Sequence, residues 1–183
     1  MSCYLDQDFT LDCRTGSSGG LKQIWILGQS GYTISGYTTN ANDEVVSVSG
    51  SGTWHSFQLP KQSASLTETI AVNDTAMSVT FQPAVTINLP KLDYNLRKVF
   101  VDLVSLNDIY LVALDNNDRY WIVFLENGGV VMEGTLQTGQ AYTDLNGVSG
   151  LVINGGEPTS IREIEVTTTI DAVFTGGGFT WNP

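Results

Sequence analysis

The feature that most constrains this chain is a strict alternation of apolar and polar residues along residues 77–89. Apolar side chains occupy the odd positions, whereas Ser, Thr, Gln, Ala and Asn occupy the even positions. A period of two places the two sets on opposite faces of a β-strand, since successive Cβ atoms point to opposite faces. Residues 62–72 alternate as well, and Asn73-Asp74 has the residue types of a turn. The pattern therefore predicts a long β-hairpin over 62–89, with about twelve residues in each arm.

This hairpin leaves two alternatives for association. An unpaired strand edge is a template for another chain, so the hairpin either packs wholly on its own domain or extends the sheet of a neighbouring subunit. Pro83 cannot donate a ladder hydrogen bond, which predicts an edge or a bulge there. If the hairpin joins subunits, its apolar side carries the contact, together with Glu68, the acidic exception on that side. The candidate oligomerisation residues are then Leu66, Glu68, Ile70, Met77, Val79, Phe81, Val85 and Ile87.

Shorter patterns fill the rest of the chain with strands and one helix. Nineteen Gly and many Thr, Ser and Val favour strands and turns. Apolar residues at three- and four-residue steps from Leu92 to Leu106 predict a helix over 92–105, after Pro90 and before a polar stop. Strands are predicted over 21–27, 32–38, two parts of 43–60 broken at 49–52, 109–115, 119–126, 130–137, 148–154 and 163–174.

Together these elements predict a mainly β protein, a β-sandwich with one flanking α-helix and a long β-hairpin. A chain of 183 residues suffices for one domain with a sizeable core. We expect an N-terminal arm over 1–20, a single sandwich domain over 21–175 and a Gly-rich C-terminal tail over 176–183. The first residues have no signal-peptide pattern, so we expect Cys3 and Cys13 to be reduced. No apolar run is long enough for a transmembrane helix.

The charge balance bears on possible partners. The formal net charge is −11, from 8 basic and 19 acidic residues, and Arg97-Lys98 is the only adjacent basic pair. Phosphate binding needs clustered Lys and Arg, so this balance argues against a surface that grips nucleic acid. It is compatible with a surface that nucleic acid slides past without sticking.

No catalytic, cofactor or metal motif has the spacing that its chemistry needs. His55 is the only histidine, it lies in a strand pattern, and no nucleophile motif accompanies it, so neither a Ser-His-Asp triad nor a zinc site is predicted. Residues 115–118 and 144–147 supply oxygen ligands without the order of an EF-hand loop. Turn formation is the favoured explanation for them, with adventitious ion binding as the alternative. The paired glycines at 19–20 and 155–156 lack the features of a phosphate loop. We therefore expect no enzyme activity and no cofactor.

Several segments resemble virion structural proteins of tailed bacteriophages. The first is a short arm with Cys3 and Cys13, followed by Gly-Gly-Leu-Lys-Gln-Ile-Trp-Ile at 19–26. The others are Leu96-Arg97-Lys98-Val99, Tyr110-Leu111-Val112-Ala113, Asp118-Arg119-Tyr120-Trp121-Ile122, GQAYTDLNG at 139–147 and Gly155-Gly156-Glu157-Pro158. The similarity spans residues 1–160, and the tail tube proteins are the members that it favours.

The resemblance implies both a fold and an assembly. Tail tube proteins share a β-sandwich with a flanking helix and a long hairpin. Six subunits form a ring, their sheets join into a continuous inner barrel, and the rings stack. The resemblance thus implies a homo-oligomeric virion protein around a channel for transient DNA passage. It also implies synthesis in the host cytoplasm and contacts with other tail or head–tail connector proteins, with no membrane partner.

The hairpin has too few acidic side chains to form a strongly acidic channel surface. Glu68 and Asp74 are its only acidic residues, so the channel surface is either mostly neutral or formed elsewhere. Two other functions remain open at this point. A capsid decoration or head–tail connector protein would lack a lumen-forming hairpin. A carbohydrate-binding β-sandwich would expose aromatic residues such as Trp54 or Trp181.

Overall fold

A computed structural model describes residues 18–28, 33–138, 146–167 and 169–182. The predicted arm up to residue 17, with both cysteines, lies outside the described residues. The elements confirm the mainly β class. In chain order they are β1 Leu21–Leu27, β2 Thr33–Thr39, β3 Val45–Gln58, β4 Ala64–Asn73, β5 Ser78–Pro90, α1 Tyr94–Val104, β6 Tyr110–Asp115, β7 Tyr120–Val123, β8 Val130–Gln137, β9 Gly147–Asn154, β10 Arg162–Ile164, α2 Ile170–Val173 and β11 Phe174–Asn182.

The predicted hairpin forms one side of a four-stranded antiparallel sheet, which we name the hairpin sheet. Its strand order is β4-β5-β9-β8. β4 and β5 pair from Ala64–Ile87 to Asn73–Ser78, which confirms the hairpin. Pro83 lies where the ladder between β5 and β9 ends, because the last pair on that side is Ala84–Asn154. The edge predicted at this proline is therefore confirmed.

The other seven strands form a larger sheet that closes on itself. Pairings run β1-β6-β7-β10-β3, and β1 also pairs with β3, so five strands make a closed circuit. β2 pairs with residues 45–51 of β3, and β11 pairs with residues 48–55 of the same strand. The prediction of two strands within 43–60 is wrong, because β3 continues through its Ser-Gly-Ser-Gly segment. Its first half pairs with β2, residues 48–55 pair with β11 and its end pairs with β1, so an extended backbone has a hydrogen-bonded neighbour throughout.

Two hydrophobic cores result. The first lies between the two sheets and includes Ile24, Leu111, Val85, Ile87 and Ile153. The second lies within the curled larger sheet and is rich in aromatic residues, with Trp54 fully buried at its centre. Every strand of the larger sheet that touches both cores must be apolar on both faces, which explains the nearly continuous apolar run of β1.

The predicted helix is confirmed, with its first residue shifted to Tyr94. Asp93 caps it, since its carboxylate accepts a hydrogen bond of 2.8 Å from the backbone N–H of Leu96. Leu103 is buried in the first core, and Leu96, Val99 and Phe100 pack against that core. Within the described residues, neither helix has the length and apolar character needed to cross a membrane.

The C-terminal region corrects two predictions. A single strand over 163–174 is wrong, since that region divides into β10, a connection and the short helix α2. Residues 176–182 do not form a tail outside the sheets, because they belong to β11, which pairs in parallel with β3 from Phe174–Val48 to Asn182–His55. The reason is packing, as Phe179 and Trp181 of β11 contact Trp54 in the second core.

Candidate assembly surface

The far half of the hairpin extends past the sheet that supports its near half. β9 pairs with β5 only as far as Ala84, so residues 69–82 form a two-stranded segment, here called the ribbon. At its base, the backbones of Phe81 and Glu157 exchange two hydrogen bonds of 2.8 and 2.9 Å. Beyond that point the ribbon has no third strand among the described residues.

One face of the ribbon is apolar and exposed. Ile70, Val72 and Val79 lie on the side that continues the core face of the sheet, and all three are at least half exposed. Val72 is paired with Val79 across the two strands. A two-stranded ribbon is marginally stable by itself in water and gains stability when an apolar face is covered. This face therefore has the properties of a candidate interaction surface.

Seven of the eight candidate oligomerisation residues divide into three groups by exposure. Val85 and Ile87 are fully buried in the first core, which removes them from the candidate interface. Leu66 and Phe81 are half-buried at the base of the ribbon, whereas Ile70 and Val79 are exposed on it. Met77 belongs to the turn rather than to a strand, since β5 begins at Ser78, and it is 94% exposed.

Glu68, the remaining candidate, holds the hairpin to its own domain. Its carboxylate accepts hydrogen bonds from the Ser160 hydroxyl at 2.6 Å and from the Ile161 backbone N–H at 2.8 Å. Together with the Phe81–Glu157 pairing, these bonds make residues 157–161 a brace across the hairpin. The brace fixes the direction in which the ribbon leaves the sheet.

Glu157 is the buried charged residue of this brace, at 4% exposure. Its two carboxylate oxygens accept hydrogen bonds from the backbone N–H groups of Glu126 and Asn127, at 3.0 and 3.1 Å. Burial raises the pKa of Glu157 above its ordinary value, and the Glu126 charge acts in the same direction. The two backbone hydrogen bonds and Arg162 oppose that rise without cancelling it.

We expect the stability difference between the wild type and Glu157→Gln to depend on pH. The folded protein holds the Glu157 proton more tightly than the unfolded chain, so ionisation costs the folded state. The wild-type free energy of unfolding should fall, relative to that of the variant, as pH rises from below 4.5 through the raised pKa. Urea unfolding of both proteins across this range measures this difference. The contributions of the other titratable groups are nearly the same in both proteins and largely cancel. A difference that stays constant with pH would contradict the assignment.

The hairpin sheet has two open edges and carries no basic residue. β4 and β8 are its outermost strands, and their outer sides have no neighbour within the described residues. None of its four strands contains Lys or Arg. The face away from the core is polar and almost uncharged, with Thr67, Thr69, Gln82 and Thr86 along the hairpin. This face cannot hold DNA phosphates by ion pairing.

A second apolar region lies at the opposite edge of the same sheet. Within the described residues, all ten exposed large hydrophobic side chains lie on the hairpin, on α1 or on β8. Those outside the hairpin are Tyr94, Val101 and Val104 of α1 and Val130, Met132 and Leu136 of β8. α1 lies over β8, since a Cβ built on Gly134 would be 3.0 Å from the Phe100 ring. Among the described residues, the exposed large hydrophobic side chains thus lie on the hairpin at one edge of this sheet and on β8 and α1 at the other.

The single histidine lines a cleft of about 560 Å³ between α1 and the strands β1 and β3. Asp102 and Ser105 line the same cleft. A catalytic triad needs the imidazole bonded to both a carboxylate and a hydroxyl. Here the Ser105 hydroxyl donates to the Val101 carbonyl at 2.8 Å, and no hydrogen bond among the described residues joins His55 to Asp102 or Ser105. The three side chains do not form a proton relay.

The Asp-Asn segments act as turns where they are described. Burial alone would raise the pKa of Asp115, but hydrogen bonds from the backbone of Arg119, the Trp121 indole and the backbone of Asn117 lower it below its ordinary value. Asp118 forms an ion pair with Lys22. The second segment lies partly outside the described residues. At its end, Gly147 allows close packing, since a Cβ there would lie 2.0 Å from the Leu89 carbonyl oxygen.

Of the two tryptophans proposed for carbohydrate binding, Trp54 is a core residue and Trp181 is partly buried against the second core. Trp54 is fully buried, and Trp181 stacks on it with ring centroids 5.4 Å apart and planes 14° apart. Trp181 also meets Trp25 edge-on at 5.8 Å. A sugar-binding platform needs an exposed aromatic face, so Trp54 cannot supply one, and one face of Trp181 is already stacked on Trp54.

Comparison of the chain with protein-family models, with curated proteins and with solved structures gives no match. The resemblance to tail tube proteins therefore stays a prediction.

Proposed function

We propose that this protein is a structural subunit of a bacteriophage tail tube, which assembles into rings around a channel for DNA. The observation that carries the proposal is the hairpin sheet, with an open edge on each side and exposed apolar surface at both edges. Edge strands β4 and β8 are different surfaces, so joining one to the other is a heterologous contact. Such contacts generate rings when the rotation closes, or filaments when it does not.

Sheet extension supplies the binding energy and the direction of the contact. β4 of one subunit would pair with β8 of the next, which satisfies backbone groups that are otherwise left to water. β8 contains two register shifts against β9, so its outer edge is irregular and favours one register with a partner over others. The hairpin sheets of successive subunits would then form one continuous sheet.

A closed sheet of this kind has room for DNA. Six copies of a four-stranded sheet give twenty-four strands. At a spacing of about 4.8 Å and a tilt of about 40°, such a barrel has a backbone diameter of about 48 Å. The larger sheet and α1 cover the core face, so the polar face would line the channel. A lumen without Lys or Arg lets a polyanion pass without being held.

We expect the purified protein to form rings or tubes with a central channel as its concentration rises. Sedimentation velocity measures the association, and negative-stain electron microscopy shows its form. Rings with a resolved hole support the proposal. A protein that stays monomeric at high concentration would contradict it, and so would compact trimers without a channel, which would favour a capsid decoration protein.

A further inference from the structure

The two apolar regions of the hairpin sheet raise the question of what covers each of them in an assembly. We propose that the apolar face of the ribbon packs against the exposed face of α1 in a second copy of this chain. This inference rests on the proposed association between copies, and it specifies the contact beyond strand pairing. The ribbon face consists of Ile70, Val72 and Val79, and the helix face consists of Tyr94, Val101 and Val104.

The positions of the two faces on the sheet fit this contact. Ile70 and Val72 lie on the core side of the sheet, in line with the buried Ala64 of the same strand. α1 lies on that same side, over β8 at the opposite edge. Val104 is one turn beyond Phe100, which contacts β8, so Val104 lies on the β8 side of the helix. Joining β4 to β8 of a second copy, with the strands staggered so that residues 69–73 run alongside β8, brings the ribbon face next to the helix face.

The helix of the same chain cannot take this role. β5 and β9 stand between β4 and β8, so ribbon and helix lie at opposite edges of one sheet. A second copy is the occupant that places both faces in contact while leaving neither subunit distorted. One contact then covers two apolar surfaces that are otherwise exposed, which is the arrangement that burial of apolar area favours.

Charge also favours the helix over a second ribbon as the partner. The ribbon turn carries Asp74 and no basic residue. The exposed side of α1 carries Arg97 and Lys98, the only adjacent basic pair in a chain of net charge −11, together with one acidic residue, Asp102. Two ribbons packed together would bring two Asp74 side chains to one interface, whereas ribbon on helix brings opposite charges together.

Cysteine crosslinking tests this contact directly. In a background with Cys3→Ser and Cys13→Ser, Val72→Cys and Val104→Cys are made as separate proteins, and Val79→Cys and Val101→Cys as a second pair. All four positions are exposed, so the subunits should fold normally. Each pair is mixed, allowed to associate and treated with a short bismaleimide. We expect a crosslinked dimer in at least one mixture and none in any single protein alone.

The outcomes separate this inference from the proposed function. The matched control replaces Val104→Cys with Thr38→Cys, which is exposed on the larger sheet, and should give no dimer. Rings without a crosslink in either pair would overturn the ribbon–helix contact and leave the tail tube proposal standing. Dimers from Val72→Cys alone would overturn it too, because they would show ribbon packed on ribbon. A failure to associate would instead count against the proposed function.

A charge reversal provides a second readout on the same contact. Asp74→Lys places a cation opposite Arg97 and Lys98, so we expect the concentration for half-assembly to rise by about two- to fivefold. Adding Arg97→Glu and Lys98→Glu should restore most of that loss. An Asp74→Lys protein that associates like the wild type, or a triple variant that associates worse than Asp74→Lys, would contradict the proposal.

Discussion

Replacing both Ile70 and Val79 by Asp should abolish self-association and leave the subunit folded. Both side chains are at least half exposed in the subunit, so the change removes little core packing. In the proposed assembly the same positions face an apolar surface, where an unpaired carboxylate costs several kcal/mol. The free-energy cost of two such charges per interface is larger than a typical interface can lose and still form. Sedimentation velocity should show monomers at concentrations where the wild type associates, with an unchanged thermal unfolding midpoint.

The matched control places the same charges on the other face of the ribbon. Thr69 and Thr80 have the same diagonal relation across the two strands as Ile70 and Val79. Thr69→Asp with Thr80→Asp therefore repeats the charge and the spacing on the polar face. We expect this variant to associate as the wild type does. Equal loss of association in both variants would point to general electrostatic repulsion and would contradict a specific apolar contact.

The hairpin could be predicted from the sequence, but its free portion could not. Val85 and Val79 belong to the same alternating pattern. Val85 is fully buried in the core between the two sheets, whereas Val79 is half exposed because it lies on the part of β5 that extends past β9 and that core. Where β9 ends relative to β5 depends on pairing between segments about seventy positions apart, and no local pattern encodes that. Periodicity identifies the apolar face, and tertiary pairing decides which part of it is core.

The hydrogen bonds between Glu68 and the brace could be predicted only in part. Glu68 interrupts an apolar face, and a half-buried carboxylate needs hydrogen-bond donors, so a partner could have been expected. Its identity could not, because Ser160 and Ile161 lie more than ninety residues away in the chain. The residue types of Gly155-Gly156-Glu157-Pro158 predict a turn. No sequence pattern indicates that Glu157 is buried. The same segment fixes the direction of the ribbon and so positions the candidate interface.

The C-terminal strand β11 could not be predicted from the sequence because of its glycines. A run of Gly at 176–178 is typical of a flexible connection, whereas β11 passes through it beside β3. The register shifts between Thr175 and Gly178, so the glycines accommodate an irregularity within the strand. Phe179 and Trp181 then close the second core around Trp54. Long-range aromatic packing overrides the local preference for a turn.

Trp54→Ala should therefore be among the most destabilising single substitutions in the chain. The side chain is fully buried and contacts the rings of Phe174, Phe179 and Trp181. Removing a buried Trp leaves a cavity and costs about 3–5 kcal/mol, a large part of a total stability of about 5–15 kcal/mol. Urea unfolding followed by far-UV circular dichroism measures the loss.

Trp54→Phe separates ring packing from the polar edge of the indole. Within the described residues the Trp54 Nε1–H finds no hydrogen-bond partner, so a phenyl ring removes an unpaired donor along with some volume. We expect Trp54→Phe to lose much less stability than Trp54→Ala. If Trp54→Ala costs less than about 1 kcal/mol, the curled larger sheet does not depend on its aromatic core. Equal losses in the two variants would instead mean that the fused ring, and not the aromatic contact alone, holds β11 against β3.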